Sequence, residues 1–229
     1  MCKMTCIKFG EMNLKEEEIR GLSVIEVGAV DINGSLRSFI EKKQPAKYVG
    51  VDIQKGPGVD EICAAKDLVG RFGPESFDLL IATELLEHIR DWKEAISNFK
   101  NILRPNGIII ITTRSKGYPY HDYPFDYWRY GVDDMKAIFS DFNIQIIDSD
   151  PMSPGVFLKA RKPSVFKEGD ISKQLLYSIV TKKYAADVKN ADISVFKIKI
   201  AVKRFIWRVI PEGLQSFIEK KITKRSRIQ

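Results

Sequence analysis

The sequence predicts an α/β protein built on a mostly parallel sheet. Three observations carry that expectation. Short apolar segments recur along the first two-thirds of the chain, each is followed by a glycine- or aspartate-bearing turn and then by helical periodicity, and Ile108–Thr113 (I-I-I-I-T-T) is β-branched throughout. A strand of that last kind belongs in the middle of a sheet covered on both faces. At 229 residues, 44% of them hydrophobic and 29% charged, the chain can bury one substantial core.

The elements follow in order. Residues 11–20 read as a short helix stopped by Gly21. Leu22–Val27 is the first strand, Gly28 opens a polar turn, and Leu36–Lys43 is the body of the next helix. Ala46–Ile53 is a second strand with Asp52 near its end, punctuated by Gly56-Pro57-Gly58, and Val59–Cys63 is a short third. Phe77–Ala82 is the fourth strand and runs into a helical region at Glu84–Ile89. In Trp92–Leu103 the residues Trp92, Ala95, Ile96, Phe99, Ile102 and Leu103 share one helix face. Arg104–Gly107 is a turn before Ile108–Thr113. Asp133–Phe139 is a helix, and Phe142–Ile147 and Val156–Ala160 are strands expected to form an antiparallel hairpin through Pro151–Gly155. Helices are expected at 170–184, at about 193–210, and from Leu214 to about Ile222.

Composition narrows the function classes. No apolar stretch approaches the roughly 18 to 20 residues of a spanning helix, and the start, M-C-K-M-T-C-I-K-F-G, lacks a secretory pattern. Three cysteines form a sparse, odd set, as where thiols stay reduced, so a cytoplasmic protein is expected. Cys2 and Cys6 have no second ligand pair, so no metal is expected. The net charge of +7 is uneven: residues 1–162 carry 22 Lys+Arg against 24 Asp+Glu, and residues 163–229 carry 15 against 6. A near-neutral body with a cationic tail argues against nucleic acid as the partner and towards an acidic or anionic surface met by the tail.

In open parallel sheets ligands bind outside the carboxyl ends of the strands. Those ends carry Glu26 and Gly28 (V-I-E-V-G-A-V-D-I-N-G-S) and Asp52 (V-G-V-D). A glycine there allows close backbone approach, and an acid ending the second strand can accept bonds from both ribose hydroxyls. Glu26 decides between nucleotides, because a carboxylate repels a pyrophosphate but favours a ligand carrying an ammonium group.

Residues 20–162 resemble the class I S-adenosylmethionine-dependent methyltransferases, close to the type 11 group. The resemblance rests on E-V-G-A-V-D-I-N-G-S, Y-V-G-V-D-I, F-D-L-L-I-A-T-E-L-L-E-H-I and L-R-P-N-G-I-I-I-I-T-T in order. It implies a Rossmann-like seven-stranded, mostly parallel sheet with helices on both faces, and S-adenosyl-L-methionine as cofactor along its carboxyl edge. Glu26 and Gly28 then serve the methionine end, Asp52 the ribose, and Ala82 and Thr83 the strand end beside the cofactor. Val30 stands where the family commonly has glycine, and the turn continues through Asp31 to Asn33-Gly34, so Asn33 joins the cofactor-binding candidates. The adenine-side acid of the family falls at Ala64, and Asp67, or the backbone around Ala64-Ala65, is expected to replace it. The domain organisation read from this is residues 1–162 as the methyltransferase domain and 163–229 as a basic helical extension.

Methyl transfer from a sulfonium is an in-line displacement governed by positioning, and a base is needed only if the acceptor loses a proton. The two histidines, His88 and His121, both fall near the carboxyl edge, and with Asp122 they are the candidate catalytic residues. His121 sits among Tyr118, Tyr120, Tyr123, Phe125, Tyr127, Trp128 and Tyr130, a density that suits a lid or acceptor-pocket wall or, equally, simple packing of the connection. In the tail, Val195, Ile198, Val202, Phe205, Ile206 and Val209 share a helix face, with Phe196, Ile200 and Trp207 on the far side. That element either lies on a membrane surface or packs on the catalytic domain or on a second subunit, as in a homodimer. The expected function is methyl transfer to a small-molecule acceptor, a saccharide or lipid-linked glycan hydroxyl being the acceptor considered. The alternatives are a non-catalytic binding protein docking through its basic tail and an NAD-dependent oxidoreductase, the latter disfavoured by Glu26 and the missing G-x-G-x-x-G.

Overall fold

The computed structural model describes residues 4–121 and 125–210. These form two compact units that divide between Asp187 and Val188. In the first unit the strands are β1 (Ser23–Val27), β2 (Lys47–Asp52), β3 (Glu61–Ile62), β4 (Phe77–Thr83), β5 (Leu103–Arg114), β6 (Trp128–Arg129), β7 (Asn143–Ser149), β8 (Gly155–Arg161), β9 (Leu176–Ser178) and β10 (Tyr184–Ala185). Seven of them make one sheet in the order β3-β2-β1-β4-β5-β8-β7. The pairs from β3 to β5 are parallel, whereas β8 runs antiparallel to both β5 and β7. The expected hairpin thus enters the sheet with its second strand on the inside.

Period-two alternation divides the core between the two faces. Val24, Leu79, Ile81, Ile108 and Ile110 point to one side and cluster with Cys6, Phe9, Leu14, Ile19, Leu36 and Ile40. Those come from α1 (Met4–Asn13), the turn after it and α2 (Arg37–Glu41). Ile25, Leu80, Ile109 and Ile111 alternate with the first set and are likewise fully buried. The remaining helices are α3 (Leu68–Phe72), α4 (Trp92–Ile102) and α5 (Val132–Ile138), and α4 buries the predicted Trp92, Ala95, Ile96, Phe99 and Ile102.

Four sequence expectations change. The N-terminal helix spans Met4–Asn13 instead of 11–20, because Cys6 and Phe9 supply its buried stripe; only a 3-10 turn at Glu16–Glu18 remains of the acidic stretch. Glu84–Ile89 is likewise reduced to a 3-10 turn, Leu86–His88. Arg104–Gly107 is a bulge carried within β5, since the register with β4 jumps from Leu103 to Ile108. Residues 170–184 are not a helix: β9 pairs with β6 and β10 in a second, three-stranded sheet, burying Leu176, Ser178, Ile179 and Val180. Residues 163–187 therefore belong to the first unit.

The second unit contains α6 (Asn190–Val209). Its predicted apolar face is the exposed one, from 48% at Ile206 to 66% at Phe205, while Phe196 on the far side is buried. Among the described residues no helix is long and apolar enough to cross a membrane. The helix expected from Leu214 to Ile222 lies outside the described residues.

Candidate active site

The carboxyl ends of β1, β2 and β4 open onto a cavity of about 260 Å³. Its floor and walls include Glu26, Gly28, Ser35, Asp52, Thr83 and His88. Gly28 leaves β1 with φ +79°, and a Cβ there would lie 3.0 Å from Leu85, another wall residue. A side chain at this position would be both strained and crowded. Gly50 on β2 is tighter still, since a Cβ would stand 2.0 Å from the Gly58 carbonyl oxygen, so glycine is what lets the Gly56–Gly58 turn close over the strand.

Glu26 is 2% exposed, yet it is well provided with donors. Ser35 Oγ donates at 3.1 Å to Oε1 and 2.9 Å to Oε2, and Tyr48 OH donates to Oε2 at 2.5 Å. Ser35 Oγ also accepts from Arg37 N at 3.0 Å, which ties the first turn of α2 to the carboxylate. Burial raises the Glu26 pKa above 4.5 against the lowering effect of Tyr48 and Ser35. These bonds leave a lone pair for one more donor, so the crevice is prepared for a cationic group. Asp52 ends β2 at the cavity, where Oδ2 accepts from Val30 N at 3.4 Å and Oδ1 from Gln54 N at 3.2 Å.

Ile32 and Ile53 line the same cavity while 45% and 59% exposed, an apolar rim that a flat base can cover. Ala64 and Ala65 add to that wall. An acid for the ribose, a carboxylate for an ammonium, a tight glycine turn and an apolar slot fit S-adenosylmethionine. Of the other cofactor-binding candidates, Asn33 is exposed outside the cavity wall, Ala82 is buried in β4 behind Thr83, and Asp67 lines a neighbouring groove with Gly70 and Arg71. Ala64 and Ala65, rather than Asp67, line the cavity. Ser35 and Tyr48 were not legible as partners of Glu26, because the bonds depend on tertiary contact.

A second cluster adjoins the cavity through His88. Glu84 follows β4 in the left-handed region, at φ +55°, and its buried carboxylate contacts Arg114. This places the next turn so that Glu87 and His88 face the segment after β5. His88 Nδ1 lies 2.8 Å from the Phe125 carbonyl oxygen, and its ring meets that of His121 edge-on at 4.7 Å. His121 Nδ1 is 3.0 Å from Asp126 Oδ2 and Nε2 is 3.8 Å from Glu87 Oε1. Asp126 is held by Arg129 at 2.5 and 2.6 Å. Burial opposes its charge, but Arg129 and His121 win and keep its pKa below the usual carboxylate value. Burial pushes the His88 pKa down. The structure thus brings both predicted histidines together, while Asp122 lies outside the described residues.

The aromatic segment has two roles. Trp128 and Tyr130 are packed inside, their polar atoms bonded to the Arg90 and Leu86 carbonyls at 3.0 and 3.2 Å. Tyr118 and Tyr120 stay partly open, Tyr118 edge-on to His121 at 5.1 Å. No local pattern singles out Glu87 or Asp126, although Glu87 directly precedes His88 in T-E-L-L-E-H.

Comparison with known proteins agrees with this geometry. Residues 9–147 match the family described as methyltransferase domain. A ubiquinone biosynthesis O-methyltransferase of Idiomarina loihiensis is 25% identical over 127 residues, which cover 50% of this chain and 51% of that protein. The chain therefore spans about half the length of the relative it matches. Among solved structures, 1,6-didemethyltoxoflavin-N1-methyltransferase of Burkholderia thailandensis, bound to 1,6-didemethyltoxoflavin and S-adenosylhomocysteine, superposes with a TM-score of 0.57 at 15% identity, covering 69% of this chain and 78% of that one. A protein from Listeria monocytogenes described as an S-adenosylmethionine-dependent methyltransferase gives 0.52 at 12%, covering 70% and 99%. The chain belongs to the methyltransferase-domain family, and its fold is that of the S-adenosylmethionine-dependent methyltransferase structures on which it superposes.

Proposed function

We propose that the protein is an S-adenosylmethionine-dependent methyltransferase whose acceptor is a hydroxyl oxygen of a small molecule, a saccharide or lipid-linked glycan. The observation that carries this is His121 beside the cofactor cavity, with Nδ1 against Asp126 and Nε2 left to accept a proton. S-Adenosylmethionine, when bound, would supply a methyl group whose carbon is taken in line by an acceptor oxygen as the C–S bond breaks and the sulfur leaves as a neutral thioether. A neutral hydroxyl must lose its proton as the C–O bond forms, and His121 Nε2 receives it. Asp126, itself fixed by Arg129, stands 3.0 Å from the other ring nitrogen, Nδ1. Tyr118 and Tyr120 offer the partly open aromatic wall that a sugar ring or other flat acceptor can stack on. The O-methyltransferase named among the relatives is consistent with an oxygen acceptor.

The lipid linkage is supported by α6. Val195, Ile198, Val202, Phe205, Ile206 and Val209 form an exposed ridge, and no acidic residue follows Asp192 in the helix, whereas Lys197, Lys199, Lys203, Arg204 and Arg208 do. An apolar ridge among cations suits an anionic bilayer surface, where a lipid-linked acceptor is presented.

The test is transfer of labelled methyl from S-adenosylmethionine to panels of saccharides and polyprenol-linked glycans. An ether product is expected, with His121→Ala lowering kcat by about 10²- to 10⁴-fold and leaving cofactor affinity unchanged. Label found on nitrogen or carbon overturns the oxygen assignment.

A further inference from the structure

We propose that Glu87, His88 and His121 form a binding site for a divalent transition-metal ion of the zinc class. Glu87 is fully buried, and Oε2 accepts from Thr113 Oγ1 at 2.7 Å, but Oε1 has no hydrogen-bond partner among the described residues. A buried carboxylate oxygen left bare is rare and calls for a partner. His121 Nε2 faces it at 3.8 Å. The Phe125 carbonyl oxygen, 2.8 Å from His88 Nδ1, can only accept, so the His88 proton sits on Nδ1 and the lone pair on Nε2. His121 Nδ1 lies 3.0 Å from Asp126 Oδ2 on the other side of its ring.

One ligand atom from each of the three residues lies within 4.8 Å of the others. In a tetrahedral site with ligands about 2.1 Å from the ion, those atoms stand about 3.4 Å apart, so adjustments of roughly 1 Å complete the set. Two of the ligands are already oriented through their other polar atom, His88 by the Phe125 carbonyl and Glu87 by Thr113, which is the outer arrangement metal ligands require. Two imidazoles and one carboxylate select a transition metal over magnesium or calcium, which prefer oxygen sets.

Binding of the ion does not depend on the identity of the acceptor. Its consequence rests on the hydroxyl reading: one lone pair of His121 cannot hold both a proton and a metal. With the ion in place, a hydroxyl at an open coordination position loses its proton to water, and His121 acts as a ligand instead of a base.

The full-length protein, stripped with chelator and dialysed, is titrated with zinc by calorimetry and with cobalt by visible absorption, without acceptor. One equivalent of zinc is expected, with cobalt absorption bands that zinc displaces. Glu87→Gln and His121→Ala should each weaken zinc binding at least about tenfold, with S-adenosylmethionine affinity retained as the check on folding. Absence of zinc binding overturns the proposal, as does zinc binding that His121→Ala leaves unchanged. Should Glu87→Gln fail to fold, the partly exposed His121 carries the test alone. Loss of methyl transfer to hydroxyls with zinc binding intact would sink the acceptor assignment and leave this site standing.

Discussion

Replacing Glu26 by glutamine separates the two jobs of that side chain. The amide oxygen can still accept from Tyr48 OH, and Ser35 Oγ can accept from the amide nitrogen, so the pocket retains its bonds. What disappears is the negative charge offered to a ligand ammonium. A hydrogen bond involving a charged group is worth about 1.5–3 kcal/mol, which corresponds to about a 10- to 150-fold loss of S-adenosylmethionine affinity. Calorimetry with S-adenosylmethionine and with methylthioadenosine, which lacks the amino-acid end, isolates the effect: the first should weaken and the second should not. The sign with pH follows from burial, which raises the Glu26 pKa above 4.5. An ammonium ligand binds the carboxylate form, so wild-type affinity rises as pH climbs through that raised pKa, and the variant loses this dependence. Stability moves the other way. Between the unfolded value near 4.5 and the raised folded value the native state holds the extra proton, so this group's contribution falls as pH rises, and Glu26→Gln removes that fall. Equal weakening of both ligands, or unchanged S-adenosylmethionine affinity, would refute the assignment of Glu26 to the methionine end.

Gly28→Ala forces a side chain into the left-handed region against Leu85, so a penalty of about 1–2 kcal/mol and a Tm lower by about 2–8 °C are expected, together with weaker cofactor binding; an unchanged thermal scan would show that the turn relaxes freely. Asp52→Ala should weaken S-adenosylmethionine and S-adenosylhomocysteine alike, by about 10- to 150-fold, because both carry the ribose; calorimetry showing a deficit for one alone would contradict that role. Flotation of the full chain with anionic vesicles should drop by roughly tenfold or more in Ile198→Ser/Phe205→Ser, which removes two exposed apolar groups from α6. Equal flotation of variant and wild type would remove the membrane surface from consideration.

Much of the sheet was legible because its signals are local. Ile108–Thr113 is β-branched on both faces, and Trp92–Ile102 repeats its apolar residues at helical spacing; each pattern survives in the structure because burial confirms what the backbone already favours. Residues 170–184 misled for the same reason in reverse. Their spacing tolerates a helix, but Leu176–Ser178 finds an open strand edge at Trp128–Arg129, and ladder bonds to a partner some fifty positions away outweigh a weak local preference. In α6 the residues grouped by angle into one apolar face are the exposed ones, because periodicity says which side chains lie together and not which neighbour covers them.

The site divides along the same line. Glu26, Gly28 and Asp52 could be read from the chain because strand ends place such residues at the carboxyl edge of any parallel sheet. Of the proton-handling cluster, His88 and His121 could be placed near that edge from the chain, but their meeting with Glu87 and Asp126 could not. Glu87, His88, His121 and Asp126 come from two segments joined by the long β5, and only packing brings His121 Nε2 to 3.8 Å from the bare oxygen of Glu87. The sequence by itself determined the sheet, the cofactor edge and the cationic tail, each a matter of local pattern or composition. Tertiary structure alone decided that β8 slots between β5 and β7, that Tyr48 and Ser35 satisfy Glu26, and that two histidines meet. Strand pairing and the meeting of distant side chains depend on contacts between remote segments, which no local periodicity encodes.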